Sequence, residues 1–82
     1  MAIAFVTGAT SGIGKAIAVK LKSLGYDVVG AGRDRSKLND LKMIYDINGI
    51  QINFDDLSDL ERKLDGLAPD VLINNAGMMP PL

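Results

Sequence analysis

The stretch that decides the fold is T-G-A-T-S-G-I-G at residues 7–14, which follows an apolar run at residues 3–6. Glycines in a turn between a strand and a helix allow positive φ angles and let the backbone approach a ligand closely. Backbone amides at the start of the helix can then bind a phosphate group. Two other glycine patterns do not fit: G-x-G-x-x-G needs a glycine where Thr10 stands, and in the P-loop pattern a Ser or Thr must follow Lys15, where the chain has Ala16. The turn therefore predicts a phosphate site and argues against P-loop binding of ATP or GTP.

Four apolar runs alternate with three amphipathic segments along the chain. The runs cover residues 3–6, 28–31, 50–54 and 71–73. Apolar residues at helical spacing mark the segments between them: Ile13, Ile17, Leu21 and Leu24; Leu38, Leu41 and Tyr45; Leu57, Leu60, Leu64 and Leu67. This alternation predicts βαβ crossovers, and hence a parallel sheet covered by helices on both faces.

The composition of the runs predicts the order of the strands. Residues 50–54 alternate apolar with polar, as a half-exposed edge strand does, whereas residues 3–6 and 71–73 are continuously apolar, as buried strands are. With right-handed crossovers this favours the spatial order 3-2-1-4. We therefore predict an α/β fold, a partial doubly wound parallel sheet of the Rossmann type with elements in the order β-α-β-α-β-α-β.

Local signals predict where the helices begin and end. Gly25, Gly49 and Gly66 follow or close the three amphipathic segments, where a left-handed residue would end a helix. Ser58-x-x-Glu61 has the spacing of a capping box at the start of the third helix.

Composition excludes several chemistries. The chain has 82 residues with no histidine and no cysteine, so it offers no Ser-His-Asp triad, disulfide or thiolate metal site. The net charge of −1 is spread without runs of one sign, which argues against nucleic acid and anionic membranes as partners. No apolar stretch has the length of a membrane span, and the first strand begins too early for a signal peptide. A cytoplasmic location is expected.

Three motifs together resemble the short-chain dehydrogenase/reductase family. The turn matches the family's T-G-x-x-x-G-I-G, residues 56–59 (D-L-S-D) are similar to its D-[VL]-[ST]-D, and residues 74–77 match its N-N-A-G. The three stand in the family's order and span essentially the whole chain. The resemblance implies an oxidoreductase that binds a nicotinamide dinucleotide, with the Asp56 side chain and the Leu57 backbone near the adenine.

The cofactor-binding residues implied by the resemblance lie in four groups: Thr7, Gly8, Thr10, Ser11, Gly12, Ile13 and Gly14; Arg33; Asp56 and Leu57; Asn75, Ala76 and Gly77. Other interpretations of these residues stay open. The glycine turn could serve packing alone, Asp55 and Asp56 could be a solvated loop pair, and Asn74 and Asn75 could be turn residues.

The end of the second strand decides which cofactor is expected. An acidic residue there accepts from the ribose 2′-hydroxyl of NAD and repels the 2′-phosphate of NADP. Gly32 occupies the family's acid position, and the guanidinium of Arg33 could bind a 2′-phosphate in a bidentate manner. We therefore predict a preference for NADP(H) over NAD(H). Asp34 is either the acid of the looser general rule or the N-cap of the second helix.

The family's catalytic Tyr-x-x-x-Lys is not in this sequence. Tyr26 and Tyr45 are each followed four residues later by a glycine, so we assign no catalytic residue. Residues 1–82 are expected to be the N-terminal part of a dinucleotide-binding domain, inactive alone. The alternative is a non-catalytic half-Rossmann module that forms homo-oligomers through the exposed edge of the strand at 71–73.

Overall fold

The computed structural model describes residues 2–10, 12–52 and 57–73. The elements are β1 (Ile3–Thr7), α1 (Gly12–Ser23), β2 (Asp27–Gly32), α2 (Arg35–Tyr45), β3 (Asn48–Gln51), α3 (Leu57–Leu67) and β4 (Val71–Ile73). The strands form a parallel sheet in the order β3-β2-β1-β4. The predicted fold class and strand order are confirmed.

The central strand β1 is buried on both faces of the sheet. On one face Val6 belongs to a cluster with Ala18 of α1 and Leu38 of α2. On the other face Phe5 is fully buried, and Leu64 of α3 packs against its cluster. The helices therefore cover both faces, as a parallel sheet requires, and the carboxyl ends of β1 and β2 meet at one edge of the sheet.

The buried face of α1 agrees only in part with the predicted one: Leu21 packs against the core cluster, but two other residues of the predicted face do not. Ile13 and Leu24 were expected to face the core, but they are 71% and 62% exposed. The buried residues of α1 are Gly14 and Ala18 instead. Small residues at these two positions allow the helix to approach the sheet closely, and Leu24 lies beyond the last residue of the helix.

The edge strand begins earlier than the apolar run indicated. β3 spans Asn48–Gln51 rather than residues 50–54, and residues 53–54 lie outside the described part of the chain. Gly49 therefore lies inside a strand and does not end α2. A Cβ at Gly49 would come within 3.0 Å of Leu38 Cβ, so the glycine lets α2 pack directly on the edge strand.

Non-glycine residues end two of the three helices. Gly25 has φ of 96° after α1, as predicted, but the C-cap of α2 is Asp46, which is left-handed with φ of 57°. Its carboxylate accepts from Lys42 Nζ at 2.8 Å, and this contact lowers the pKa of Asp46 below its ordinary value. α3 continues past Gly66, and the left-handed residue is Ala68, where the following Pro69 disfavours further helix.

The predicted capping box is also wrong. α3 begins at Leu57, so Ser58 lies inside the first turn rather than at the N-cap. The residues directly before Leu57 lie outside the described part of the chain.

Candidate functional site

The glycine-rich turn has the backbone that the sequence predicts. Gly8 and Gly12 are left-handed, with φ of 64° and 60°, a conformation that costs most other residues about 1–2 kcal/mol. Between them the chain leaves the carboxyl end of β1 and enters α1 at Gly12. The first amides of α1 have no partner within the helix, so this end can accept an anion.

Thr7 ties the turn to β4. It is the last residue of β1 and is buried, and its Oγ1 donates a hydrogen bond to the Ile73 carbonyl at 3.4 Å. The bond links the carboxyl ends of the two strands between which the order of the sheet reverses. Dinucleotides bind at such switch points in doubly wound sheets.

The turn is also seated on the end of β2. Ala9 N donates to the Ala31 carbonyl at 3.2 Å. Two glycines of β2 leave room for side chains of the turn. A Cβ at Gly30 would lie 2.9 Å from Ala9 Cβ, and a Cβ at Gly32 would lie 2.7 Å from Thr10 Cγ2. The Thr10 methyl therefore occupies the space from which any side chain at position 32 would start.

The loop after β2 carries the predicted selectivity residues. Gly32 is the last residue of β2, as expected, and the exposed Arg33 follows it. Asp34 is the N-cap of α2, since its Oδ1 accepts from Ser36 N at 2.9 Å and Lys37 N at 3.2 Å. The interpretation of Asp34 as the N-cap is confirmed. Its Oδ1 is occupied by hydrogen bonds from the two helix amides.

β3 holds this loop through one side chain, which the sequence did not single out. Gln51 Nε2 donates to the Arg33 carbonyl at 3.0 Å, and Gln51 Oε1 accepts from Arg35 Nη2 at 3.4 Å. Lys63 of α3 donates to the Gln51 carbonyl at 2.8 Å. Three basic residues therefore gather at this end of the sheet. The only sequence signal for Gln51 was its polar position in a run that alternates apolar with polar residues.

A cavity of about 230 Å³ opens beside the turn. Its lining is Thr10, Lys15, Lys37, Asp40, Leu41, Ile44 and Tyr45. The Lys15 ammonium lies 5.7 Å from the centre of the Tyr45 ring, a cation–π distance. Two lysines against one aspartate give the lining a positive formal charge, which suits an anionic ligand.

The structure brings together most of the predicted site that it describes. The turn between β1 and α1, with the strand and helix residues that flank it, contains Thr7, Gly8, Thr10, Gly12, Ile13 and Gly14. Arg33 follows the strand on which that turn rests. Leu57 is the first residue of α3. The predictions for Ser11, Asp56, Asn75, Ala76 and Gly77 lie outside the described residues.

Two other kinds of site are not found in the part of the chain that the structure describes. No three acidic side chains there are grouped so that they could hold a metal ion. No helix in residues 12–52 and 57–73 is long and apolar enough to cross a bilayer.

Comparison with known proteins gives consistent results. A short chain dehydrogenase family model matches residues 2–82. An uncharacterized short-chain type dehydrogenase/reductase of Sinorhizobium fredii is 46% identical over 77 residues, and a probable NADP-dependent dehydrogenase of Haemophilus influenzae is 39% identical over 84 residues. They align with 94% and 92% of the chain. The closed form of a serine dehydrogenase complexed with NADP⁺ superposes on 92% of the chain with a TM-score of 0.82 and 32% identity.

The matched proteins are longer than this chain. It spans 31% and 32% of the two relatives and 33% of the solved structure. The family match nevertheless covers almost every residue, and the fold and the glycine turn agree with it. The chain belongs to the short-chain dehydrogenase/reductase family.

Proposed function

We propose that residues 1–82 are the N-terminal, cofactor-binding part of a longer oxidoreductase that uses NADP(H) in preference to NAD(H). The observation that carries this proposal is at the end of β2. Gly32 stands where an acid would select NAD, the Thr10 methyl fills the space beside it, and Arg33 follows directly. The NADP-dependent relative and the NADP⁺-bound neighbour support the same preference.

The glycine-rich turn supports the proposed binding of a dinucleotide. The amides of residues 8–14 would bind the pyrophosphate at the start of α1, and the glycines leave room for its close approach. The Arg33 guanidinium would pair with the 2′-phosphate. Asp56 and Leu57 would lie near the adenine, and residues 75–77 beside the rest of the cofactor.

This division of roles leaves chemistry to the rest of the protein. The bound cofactor supplies or accepts a hydride, and the carbonyl or alcohol substrate needs a proton donor or acceptor. The sequence holds no Tyr-x-x-x-Lys for that task. We therefore assign cofactor binding to this chain and expect no turnover from the 82 residues alone.

The outer edge of β4 supports the idea of a longer sheet. Among the described strands β4 pairs only with β1, and Leu72 is 53% exposed on the sheet face that holds Phe5. In the longer protein a further strand and helix would cover this region. Without them the same surface would promote self-association, and sedimentation of the 82-residue chain tests this: concentration-dependent dimers are expected, and a monomer at all concentrations would contradict it.

The cofactor preference is tested by the dissociation constants of NADPH and NADH, measured on the protein that contains this chain. Replacing Arg33 with alanine removes a charge-assisted phosphate pair, which should weaken NADPH binding by about 1.5–3 kcal/mol, or about tenfold to hundredfold. NADH binding should be unchanged. Lys20→Ala, at the other end of α1, removes the same charge and should affect neither nucleotide. Unchanged NADPH affinity in Arg33→Ala would show that the assignment is wrong.

A further inference from the structure

We propose that Gln51 is a specificity-determining positioning residue, which holds the main chain of Arg33 so that its guanidinium meets a 2′-phosphate. This inference rests on the proposed NADP(H) preference. It adds a residue from the edge strand that would not itself touch the cofactor. The evidence for it is the hydrogen bonds between the Gln51 carboxamide and the loop between β2 and α2.

The loop is fixed on both sides of Arg33. Before it, the Gly32 carbonyl accepts from Ile52 N at 3.0 Å. After it, the Asp34 carboxylate caps α2. The Arg33 carbonyl itself accepts from Gln51 Nε2 at 3.0 Å. This bond constrains the orientation of the peptide after Arg33, and with it the backbone position from which the arginine side chain starts.

Gln51 is itself held in place. Its neighbours in β3 pair with β2 in register, with Gln51 opposite Gly32. Lys63 Nζ donates to its main-chain carbonyl at 2.8 Å, so α3 also anchors it. A side chain on a paired strand with an anchored backbone is a more rigid support than a loop residue.

Both ends of the carboxamide are used. The amide nitrogen donates to Arg33, while the oxygen accepts from Arg35 Nη2 at 3.4 Å. A glutamate could still pair with Arg35, but it would lose the donor and add a negative charge near the proposed phosphate. A methionine of similar size would lose both bonds without adding charge. The two substitutions therefore separate the donor from the charge.

A binding experiment on the full protein that contains this chain tests the inference. Gln51→Met should weaken NADPH binding by about twofold to tenfold, the range for one neutral hydrogen bond, and leave NADH binding unchanged. Gln51→Glu should weaken NADPH binding further. Asn48→Ala is the matched control, because Asn48 lies at the opposite end of β3 and also uses its side chain in an exposed hydrogen bond. It should leave the ratio of NADPH to NADH affinity unchanged.

The selectivity ratio separates positioning from a merely structural role. If Gln51→Met weakens both nucleotides equally, or lowers the melting temperature without changing the ratio, the inference is overturned. In the Arg33→Ala background, Gln51→Met should have no further effect on NADPH binding, and an additive loss would also overturn it. Full NADPH affinity in Gln51→Met, with a loss in Arg33→Ala, rejects the role of Gln51 but keeps the proposed function. Full affinity in both variants rejects both.

Discussion

The contact between Thr10 and Gly32 predicts how substitutions at these two positions change the free energy of unfolding. A Cβ at Gly32 would lie 2.7 Å from Thr10 Cγ2, whereas carbon atoms pack best at about 3.5–4.0 Å. Gly32→Ala thus creates an overlap of about 1 Å at a buried position, and overpacking of this kind costs about 1–3 kcal/mol. The backbone of Gly32 is not left-handed, so the cost comes from Thr10 alone.

Removing the methyl should restore the lost stability. In Thr10→Ser the nearest remaining atom is the hydroxyl oxygen, 3.4 Å from the same Cβ position. The double variant Thr10→Ser/Gly32→Ala should therefore recover most of the 1–3 kcal/mol, and the coupling energy between the two sites should be of the same order. The same contact affects cofactor choice. The Gly32→Asp variant should bind NADH better than NADPH, and its NADH affinity should rise further when Thr10 is replaced by serine, because the methyl no longer crowds the new side chain.

The assay is urea unfolding of the wild type, both single variants and the double variant, with the free energy of unfolding compared around the cycle. A cost of less than about 0.5 kcal/mol for Gly32→Ala, well under the range for overpacking, would contradict this prediction. An equal cost with serine at position 10 would also contradict it, because the Thr10 methyl would then not be the cause.

Three further predictions concern the helices. Gly66→Ala should raise the free energy of unfolding by about 0.5–1 kcal/mol, since Gly66 lies inside α3 and a Cβ there meets nothing within 4 Å; urea unfolding measures it. Asp34→Ala should lower the free energy of unfolding by about 0.5–2 kcal/mol through loss of the N-cap, while Asp34→Asn should keep most of the stabilisation by the cap. Lys42→Met should raise the pKa of Asp46 towards its ordinary value, because the hydrogen bond and charge of Lys42 lower it, and an NMR titration of the carboxyl carbon measures this. In the wild type, the lowered pKa means that Asp46 stabilises the fold above the ordinary carboxyl pKa and loses that contribution as the pH falls through the folded value.

Each of these has a result that would contradict it. Destabilisation by Gly66→Ala would mean that the space around α3 is occupied. Equal losses in Asp34→Ala and Asp34→Asn would show that capping is not what Asp34 contributes. An unchanged pKa of Asp46 in Lys42→Met would rule out Lys42 as the cause, leaving the weaker contact with Lys22 at 4.0 Å.

The strand order followed from the sequence because burial leaves a direct trace in composition. A strand buried on both faces has to be apolar throughout, so β1 could be recognised as central and the alternating run as the edge. The glycine turn was equally readable, since Gly8 and Gly12 are the residues that a left-handed backbone favours. Each of these signals is carried by the residue types within a single segment of the chain.

Features that depend on close approach between elements were not readable. The stripe of α1 is set by Gly14 and Ala18, whose small size an apolar pattern does not register, and so Ile13 was wrongly expected in the core. Asp46 ends α2 in a conformation in which a hydrogen bond from Lys42 holds its side chain. Gln51 could be connected to Arg33 only through the register of β3 against β2.

The most direct test of the central claim is backbone hydrogen exchange measured with NADP⁺, with NAD⁺ and without nucleotide. Either nucleotide should slow exchange in residues 8–14, where the amides would bind the pyrophosphate. NADP⁺ should slow exchange around Arg33 more than NAD⁺ does at equal concentration. Exchange in residues 8–14 that is unchanged at saturating NADP⁺ would contradict the claim that this turn is the cofactor site.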